Sequence, residues 1–229
     1  MSMPTATTTA TAMTSPAESS PELTFSFAYR QRIPITSLCV VAGVCGTLLT
    51  VPFVREATPL DHLCDGIGWA MLGVAILVRL WSSGHISGRK SKTLVFSGPY
   101  AACRNPQYIG TLLIAISQML FLKSCPFALA CIIPIMLYAL AVVPAEERLL
   151  RQRFGTAYAD YCQRVPRWSP LGWATLCWPS RWSSQSLQWG RPENPTAFRR
   201  ECIRCVWWCL LPLVSELISA LREMISPIV

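Results

Sequence analysis

Two short stretches of this chain hold side chains whose types and spacing could do chemistry. The first covers residues 97–110 and reads Ser97, Gly98, Pro99, Tyr100, Ala101, Ala102, Cys103, Arg104, Asn105, Pro106, Gln107, Tyr108, Ile109 and Gly110. Gly98 and Pro99 signal a turn. Pro106 suits the first turn of a helix, with Asn105 before it as an N-cap. A helix start presents unpaired backbone N–H groups and the positive end of its dipole, a setting for an anionic group such as a carboxylate. Arg104 can add a bidentate contact to the same anion. The plainer reading is a capped helix entering a bilayer, with Arg104 and Tyr108 as interfacial anchors.

The second stretch, residues 146–167, opens on the adjacent acids Glu146 and Glu147 and ends with Arg164, Pro166 and Arg167. Leu150, Phe154, Tyr158 and Tyr161 recur at helical spacing and form one apolar, aromatic stripe on a charged helix. Glu147 and Arg151 stand in the favourable i to i+4 order, so surface pairing accounts for part of the pattern. Neighbours on a helix diverge by about 100°, so at least one of two adjacent acids at the end of an apolar span points toward protein. A carboxylate pair there could hold a ribose diol or a cationic ammonium. Arg164 and Arg167 could meet an acceptor's anion, although a solvated basic surface beside anionic lipids is the more common explanation.

The elements that must position these residues are membrane helices. The chain is 52% hydrophobic and 14% charged, far below the roughly one-quarter charged residues of soluble proteins. Residues 35–54 carry no charge, enough to cross a bilayer. A second span is expected over residues 63–81, with Asp65 and Arg79 near its ends, a third over 106–122, a turn at Lys123, and a fourth over 124–145 despite Pro126, Pro134 and Pro144. Residues 202–220 form either a tilted fifth span or an interfacial helix anchored by Trp207 and Trp208. The fold class is therefore all-α, a polytopic transmembrane bundle. Its expected organisation is a disordered tail at 1–28, a membrane core at 29–170, an irregular Trp-, Pro- and Ser-rich segment at 171–200, and a C-terminal membrane or interfacial helix at 201–229.

A net charge of +8 could indicate nucleic acid, but the basic residues sit beside apolar spans rather than on one soluble face, which argues against it. Cys39, Cys45, Cys131 and Cys209 fall inside apolar runs and read as buried small hydrophobes rather than a disulfide framework. Cys202, Cys205 and Cys209 share an apolar helical face and read as packing rather than zinc ligands. Arg30 and Arg32 precede the first span, while Arg79, Arg89, Lys90, Lys92 and Arg104 follow the second. This bias places the N-terminus, the 82–104 loop and everything after Ala145 in the cytoplasm.

Together the two polar stretches resemble the isoprenylcysteine carboxyl methyltransferase family and the related phospholipid methyltransferases. The resemblance runs from about residue 79 to 170. It rests on Gly98, Pro99, Tyr100, Arg104, Pro106, Tyr108 and Gly110, then Glu146, Glu147, Leu150, Phe154, Gly155, Tyr158, Tyr161, Val165, Pro166, Arg167 and Pro170. It implies methyl transfer from S-adenosylmethionine at a membrane-embedded site, with the donor entering from the cytosol and a lipid-like or small hydrophobic acceptor from the bilayer. A prenylcysteine carboxylate, a phospholipid amine and a thiol all remain open as acceptors. Carried over by position, Gly98, Pro99, Tyr100, Arg104, Asn105, Tyr108, Glu146 and Glu147 hold the donor. Arg104, Asn105 and Tyr108 lie closest to the reaction. The family usually has His where this chain has Asn105, which hydrogen-bonds but carries no proton charge at neutral pH. A membrane sterol reductase using a nicotinamide cofactor shares the Arg, Pro and Tyr segment but not the acidic pair. A non-enzymatic scaffold or transporter would need polar residues along the bilayer, where the spans offer little beyond Ser117, Gln118 and Tyr138.

Overall fold

The structure is a computed structural model that describes residues 27–89, 92–168 and 192–225. The expectations for the tail before residue 27, for Lys90, for Pro170 and for most of the 171–200 segment lie outside the described residues. The helices in chain order are α1 (Phe27–Leu48), α2 (Pro59–Ile86), the single-turn α3 (Pro99–Ala102), α4 (Pro106–Leu122), α5 (Cys125–Leu137), α6 (Val143–Arg164), α7 (Pro195–Cys209) and α8 (Leu211–Ile225). A π turn, Tyr138–Val142, joins α5 to α6. Four helical runs are long and apolar enough to cross a membrane: Arg30–Leu48, Pro59–Ile86, Cys125–Arg164 and Pro195–Ile225. The shorter α4 has 17 residues and, at 1.5 Å per residue, extends about 26 Å. Leu38, Leu63, Leu77, Leu129, Leu140 and Leu217 point outward from these helices, a distribution that only a lipid surround makes inexpensive.

Helix boundaries follow local chemistry. Thr58 caps α2 by accepting from Asp61 N, and Pro59 fills the first turn. Ser124 caps α5 in the same way through Phe127 N, after Lys123 turns the chain in the left-handed region at φ 46°. Inside the fourth span, Pro144 has no N–H for the carbonyl four residues back and its ring crowds that oxygen. The π turn just before it relieves that conflict, with Val143 N–H bonding the Tyr138 carbonyl five residues back. A second break comes at Gly155, whose φ of 53° and ψ of −125° are not helical.

α2 and α4 form one antiparallel pair, packed through Leu72, Ala75, Ile114 and Phe121, with Trp208 and Leu211 of the C-terminal arm against them. α1 and α5 form the other, and Leu122, Phe127 and Cys131 pack with Val44 and Ile218. Arg222 of α8 fastens the far end: its Nε donates to the Thr47 carbonyl at 2.8 Å and one terminal nitrogen to the Leu122 carbonyl at 3.4 Å. These are carbonyls at the C-terminal ends of α1 and α4, which favour a cation. Lys123, pinned between Asp61 and Asp65 at the same end, is 7% exposed. Burial works to lower its pKa, but the hydrogen bonds to both carboxylates raise it overall.

Several expectations are corrected. The first span is not 35–54: the helix starts at Phe27 and ends at Leu48, so 49–54 are non-helical. α2 outruns 63–81 at both ends because Thr58 and Pro59 start it and the apolar pattern carries it to Ile86. The fourth span does not stop at Ala145 but continues as helix, kinked at Gly155, to Arg164. The C-terminal region is a 31-residue helical run starting at Pro195, within the segment expected to be irregular. Asn194 caps it by accepting from Ala197 N. Its α8 reaches the far end of the bundle, so not everything after Ala145 stays at the end that carries the 82–104 loop. Of the four cysteines expected to be buried, only Cys131 is; Cys45 and Cys209 are exposed and Cys39 half-buried, on faces that lipid would cover.

Arg79 supplies the lateral tie. Its guanidinium holds Glu201 of α7 at 2.7 and 2.9 Å, donates to the Gln107 carbonyl and the Thr111 hydroxyl of α4, and lies 4.4 Å from the centre of the Trp208 ring. Gly110 makes room for it, since a Cβ there would sit 2.4 Å from Arg79 Cγ. Removing one partner of a buried pair leaves an uncompensated charge, so Glu201→Ala is expected to lower stability by about 3 kcal/mol. Thermal unfolding in detergent would check it, and an Arg79→Met, Glu201→Leu double variant should recover most of the loss.

Candidate functional site

The two polar stretches converge at one end of the bundle, where the α2–α4 loop meets the second half of α6. The order begins with Gly98. Its φ of +61° is one that an L side chain rarely adopts, and a Cβ would lie 2.3 Å from Nε2 of the buried His85. Close approach to that imidazole, whose Nδ1 lies 3.0 Å from the Trp81 carbonyl, fixes the turn that opens α3. Pro99 and Tyr100 are consequently buried. The Tyr161 hydroxyl donates to the Tyr100 carbonyl at 2.7 Å, and burial pushes the Tyr100 phenol well above its ordinary range. Tyr161, Tyr158 and Val165 pack with Leu94, Leu150 and Phe154, so the apolar stripe read from the sequence is the seam that holds α6 against the loop.

Glu147 lies at the centre and is 5% exposed. Its Oε1 accepts from Asn105 Nδ2 at 3.0 Å, while its Oε2 accepts two bonds from Arg167 at 2.6 and 2.9 Å and lies 3.6 Å from Arg104. The bonds to Glu147 raise the Arg167 pKa above its usual value. Arg104 also meets the Cys162 sulfur, and its Nε is buried with no hydrogen-bond partner. Two backbone contacts lock this group: Arg104 N to the Pro166 carbonyl at 3.0 Å and Cys103 Sγ to the Arg167 carbonyl at 3.2 Å.

A cavity of about 150 Å³ lies beside the group, lined by Tyr100, Arg104, Asn105, Gln107, Tyr108, Glu146, Tyr158 and the loop residues Thr93, Leu94 and Val95. Of the residues singled out by sequence, Tyr100, Arg104, Asn105, Tyr108 and Glu146 line it directly. Gly98, Pro99, Glu147 and Arg167 stand behind or beside them. Arg164 is exposed on the α6 surface and is not among the lining residues. Two local expectations are corrected. Asn105 makes no side-chain cap to α4, because its amide is engaged by Glu147. Glu147 does not pair with Arg151, because it is turned into the protein, where Arg104 and Arg167 engage it. Thr93–Val95 and the contacts of Cys103 and Cys162 escaped the sequence reading, since neither period nor charge marks them.

Tyr108 also lines a second, larger cavity of about 620 Å³ between α1, α4, α5 and α8, whose walls are overwhelmingly apolar. Tyr108 and Tyr138 pack at 5.6 Å between ring centres at this boundary. A small pocket beside buried charged groups, at one end of a helical membrane bundle, thus shares the Tyr108 wall with an apolar chamber, the architecture of an integral membrane protein.

Residues 69–157 match the phospholipid methyltransferase family profile. Over 191 residues the chain is 32% identical to the cobalt-zinc-cadmium resistance protein CzcN of Cupriavidus metallidurans, covering 83% of each. It is 32% identical over 155 residues to the nickel-cobalt-cadmium resistance protein NccN of Alcaligenes xylosoxydans xylosoxydans, covering 68% of this chain and 72% of that one. A 78-residue stretch is 34% identical to protein-S-isoprenylcysteine O-methyltransferase B of Arabidopsis thaliana, covering 34% of this chain and 40% of that one. No solved structure matches. The chain belongs to the same family as CzcN and NccN, and within it residues 69–157 carry the match to the phospholipid methyltransferase model, with a shorter likeness to an isoprenylcysteine O-methyltransferase.

Gly98→Ala is expected to cost at least about 1 kcal/mol, since it combines a disfavoured φ with a clash against His85. Thermal unfolding should show the loss, and His85→Ala in the same chain should recover only the steric part.

Proposed function

We propose that this protein transfers the methyl group of S-adenosylmethionine to a lipid-like or small hydrophobic acceptor within the membrane. The observation that carries the reading is Tyr108, a wall shared by the polar pocket and the apolar chamber. Donor and acceptor can therefore meet without either crossing the bilayer core. The residues present suit the donor. The unpartnered Nε of Arg104 fits a carboxylate, Glu146 on the pocket wall fits a ribose diol or an ammonium, and Tyr100, Tyr108 and Tyr158 offer ring faces to adenine or a sulfonium. The pocket, of about 150 Å³, accommodates only part of so large a molecule, so the donor extends beyond it.

When bound, the donor supplies a methyl on a positively charged sulfur, ready for in-line attack. The protein's part is mainly positioning, which can account for roughly 7–11 kcal/mol of barrier in well-oriented reactions. Glu147 contributes by holding Asn105, Arg104 and Arg167 in one arrangement rather than by touching the donor. Of the two acids it is Glu146, on the pocket wall, that takes the donor contact in this reading. Asn105 serves the reaction through that hydrogen bond and transfers no proton. Arg167, bonded to Glu147 and absent from both cavity linings, meets an anionic acceptor only if it releases Glu147, whereas the exposed Arg164 serves as a surface cation. The basic residues flanking the pocket end support a cytoplasmic mouth. The bacterial relatives' names refer to metal resistance, but among the described residues no group of three or more His, Cys, Asp or Glu is arranged to hold a metal ion.

Calorimetry on the detergent-purified protein should show S-adenosylmethionine binding in the micromolar range. Arg104→Ala and Glu146→Gln should each weaken it at least tenfold, about 1.4 kcal/mol, while NADPH does not bind. Absence of donor binding, or NADPH binding in its place, would overturn the assignment.

A further inference from the structure

The apolar chamber contains a polar group that positioning of the donor does not require. Gln118 of α4 lines the chamber and is only 9% exposed. Its Oε1 lies 3.0 Å from the hydroxyl of Ser215, itself 2% exposed, and that hydroxyl lies equally close to the Leu211 carbonyl. The Gln118 Nε2 is buried with no hydrogen-bond partner. Exchanging the two ends of the amide does not resolve the deficit. Nε2 would then donate to the Ser215 oxygen while Ser215 donates to Leu211, and Oε1 would be left unmatched. One end of a buried amide is unpaired in either orientation, among walls formed by Ile114, Leu122, Phe127 and Ile218. Leaving such a group unmatched is costly, and an apolar side chain of the same size would avoid the cost.

Gln118 follows Tyr108 by ten residues on the same helix, which sets it about 15 Å along the axis from the wall shared with the polar pocket. Resting on the methyltransferase reading, we propose that the acceptor is an amphiphile carrying a hydroxyl within its hydrophobic body, roughly 15 Å from the end that receives the methyl, and that Gln118 is the specificity determinant that reads it. A hydroxyl both donates and accepts, so it completes the amide in either orientation. An unsubstituted hydrocarbon or polyprenyl chain fills the same volume but leaves the amide unpaired.

The test compares 12-hydroxyoctadecanoate with octadecanoate, two chains that differ by one oxygen at the matching depth. Affinity is measured by displacement of a fluorescent fatty acid from the full chain in nanodiscs, without donor. Wild type is expected to bind the hydroxylated chain about tenfold more tightly. Gln118→Met, close in size and flexible, should remove that preference while leaving unlabelled octadecanoate binding and thermal stability unchanged. Gln118→Leu is the second variant should the first fail to fold. Equal affinity of the two chains for wild type, survival of the preference in the folded variant, or binding of neither chain would overturn the proposal. Because no donor is present, a hydroxyl preference without S-adenosylmethionine binding would support the chamber's specificity while refuting the methyl-transfer reading.

Discussion

A carboxylate 5% exposed must be neutralised where it stands, and much of the polar end of this bundle follows from how Glu147 achieves that. Its two oxygens draw in Asn105 and Arg104 from the start of α4 and Arg167 from beyond α6. Those contacts fix the angle at which α4 enters the bundle. They also bring the chain after Val165 back beside the start of α4, where the Arg104 backbone N–H and the Cys103 thiol hold it. Breaking one of these bonds exposes the others to an unpaired buried charge, so the group behaves as a unit rather than as separate contacts.

The far end uses different chemistry for the same purpose. There the unmatched groups are carbonyls at the ends of α1 and α4, and Arg222 satisfies them from a third helix. Arg79 does likewise halfway round the bundle, joining α2, α4 and α7 through one guanidinium. The apolar chamber can remain open between these ties because the packing load falls on the two helix pairs and on polar bolts at their ends.

The parts of this architecture that sequence reveals are those set by local chemistry. Pro106 and Lys123 delimit α4 because a proline and a left-handed turn act on their own neighbours. The Tyr158 and Tyr161 stripe is legible because its partner, the loop, needs no particular sequence. The boundaries of α1 are not legible. Lack of charge extends through residues 49–54, whereas the helix begins among Arg30, Arg32 and Pro34, residues that composition assigns outside a span. Pairing at long range is equally hidden. Nothing local marks Glu201 until Arg79, 122 residues earlier, is seen to neutralise it. Glu146 and Glu147 are recognisable as a pair, but which one faces the pocket depends on helix phase. The π turn shifts that phase by one residue.

The Arg79 and Glu201 pair also bears on the order in which the protein is made. A ribosome delivers α2 and its arginine to the membrane long before α7 exists, and at about 5–20 residues per second the delay is on the order of ten seconds. During that interval a guanidinium destined for the bundle interior has no carboxylate to meet, and Thr47 and Leu122 still await Arg222. A chain that stalls before the last helices leaves an unneutralised cation within the bilayer, so the bundle reaches its full stability only when its C-terminal arm is in place.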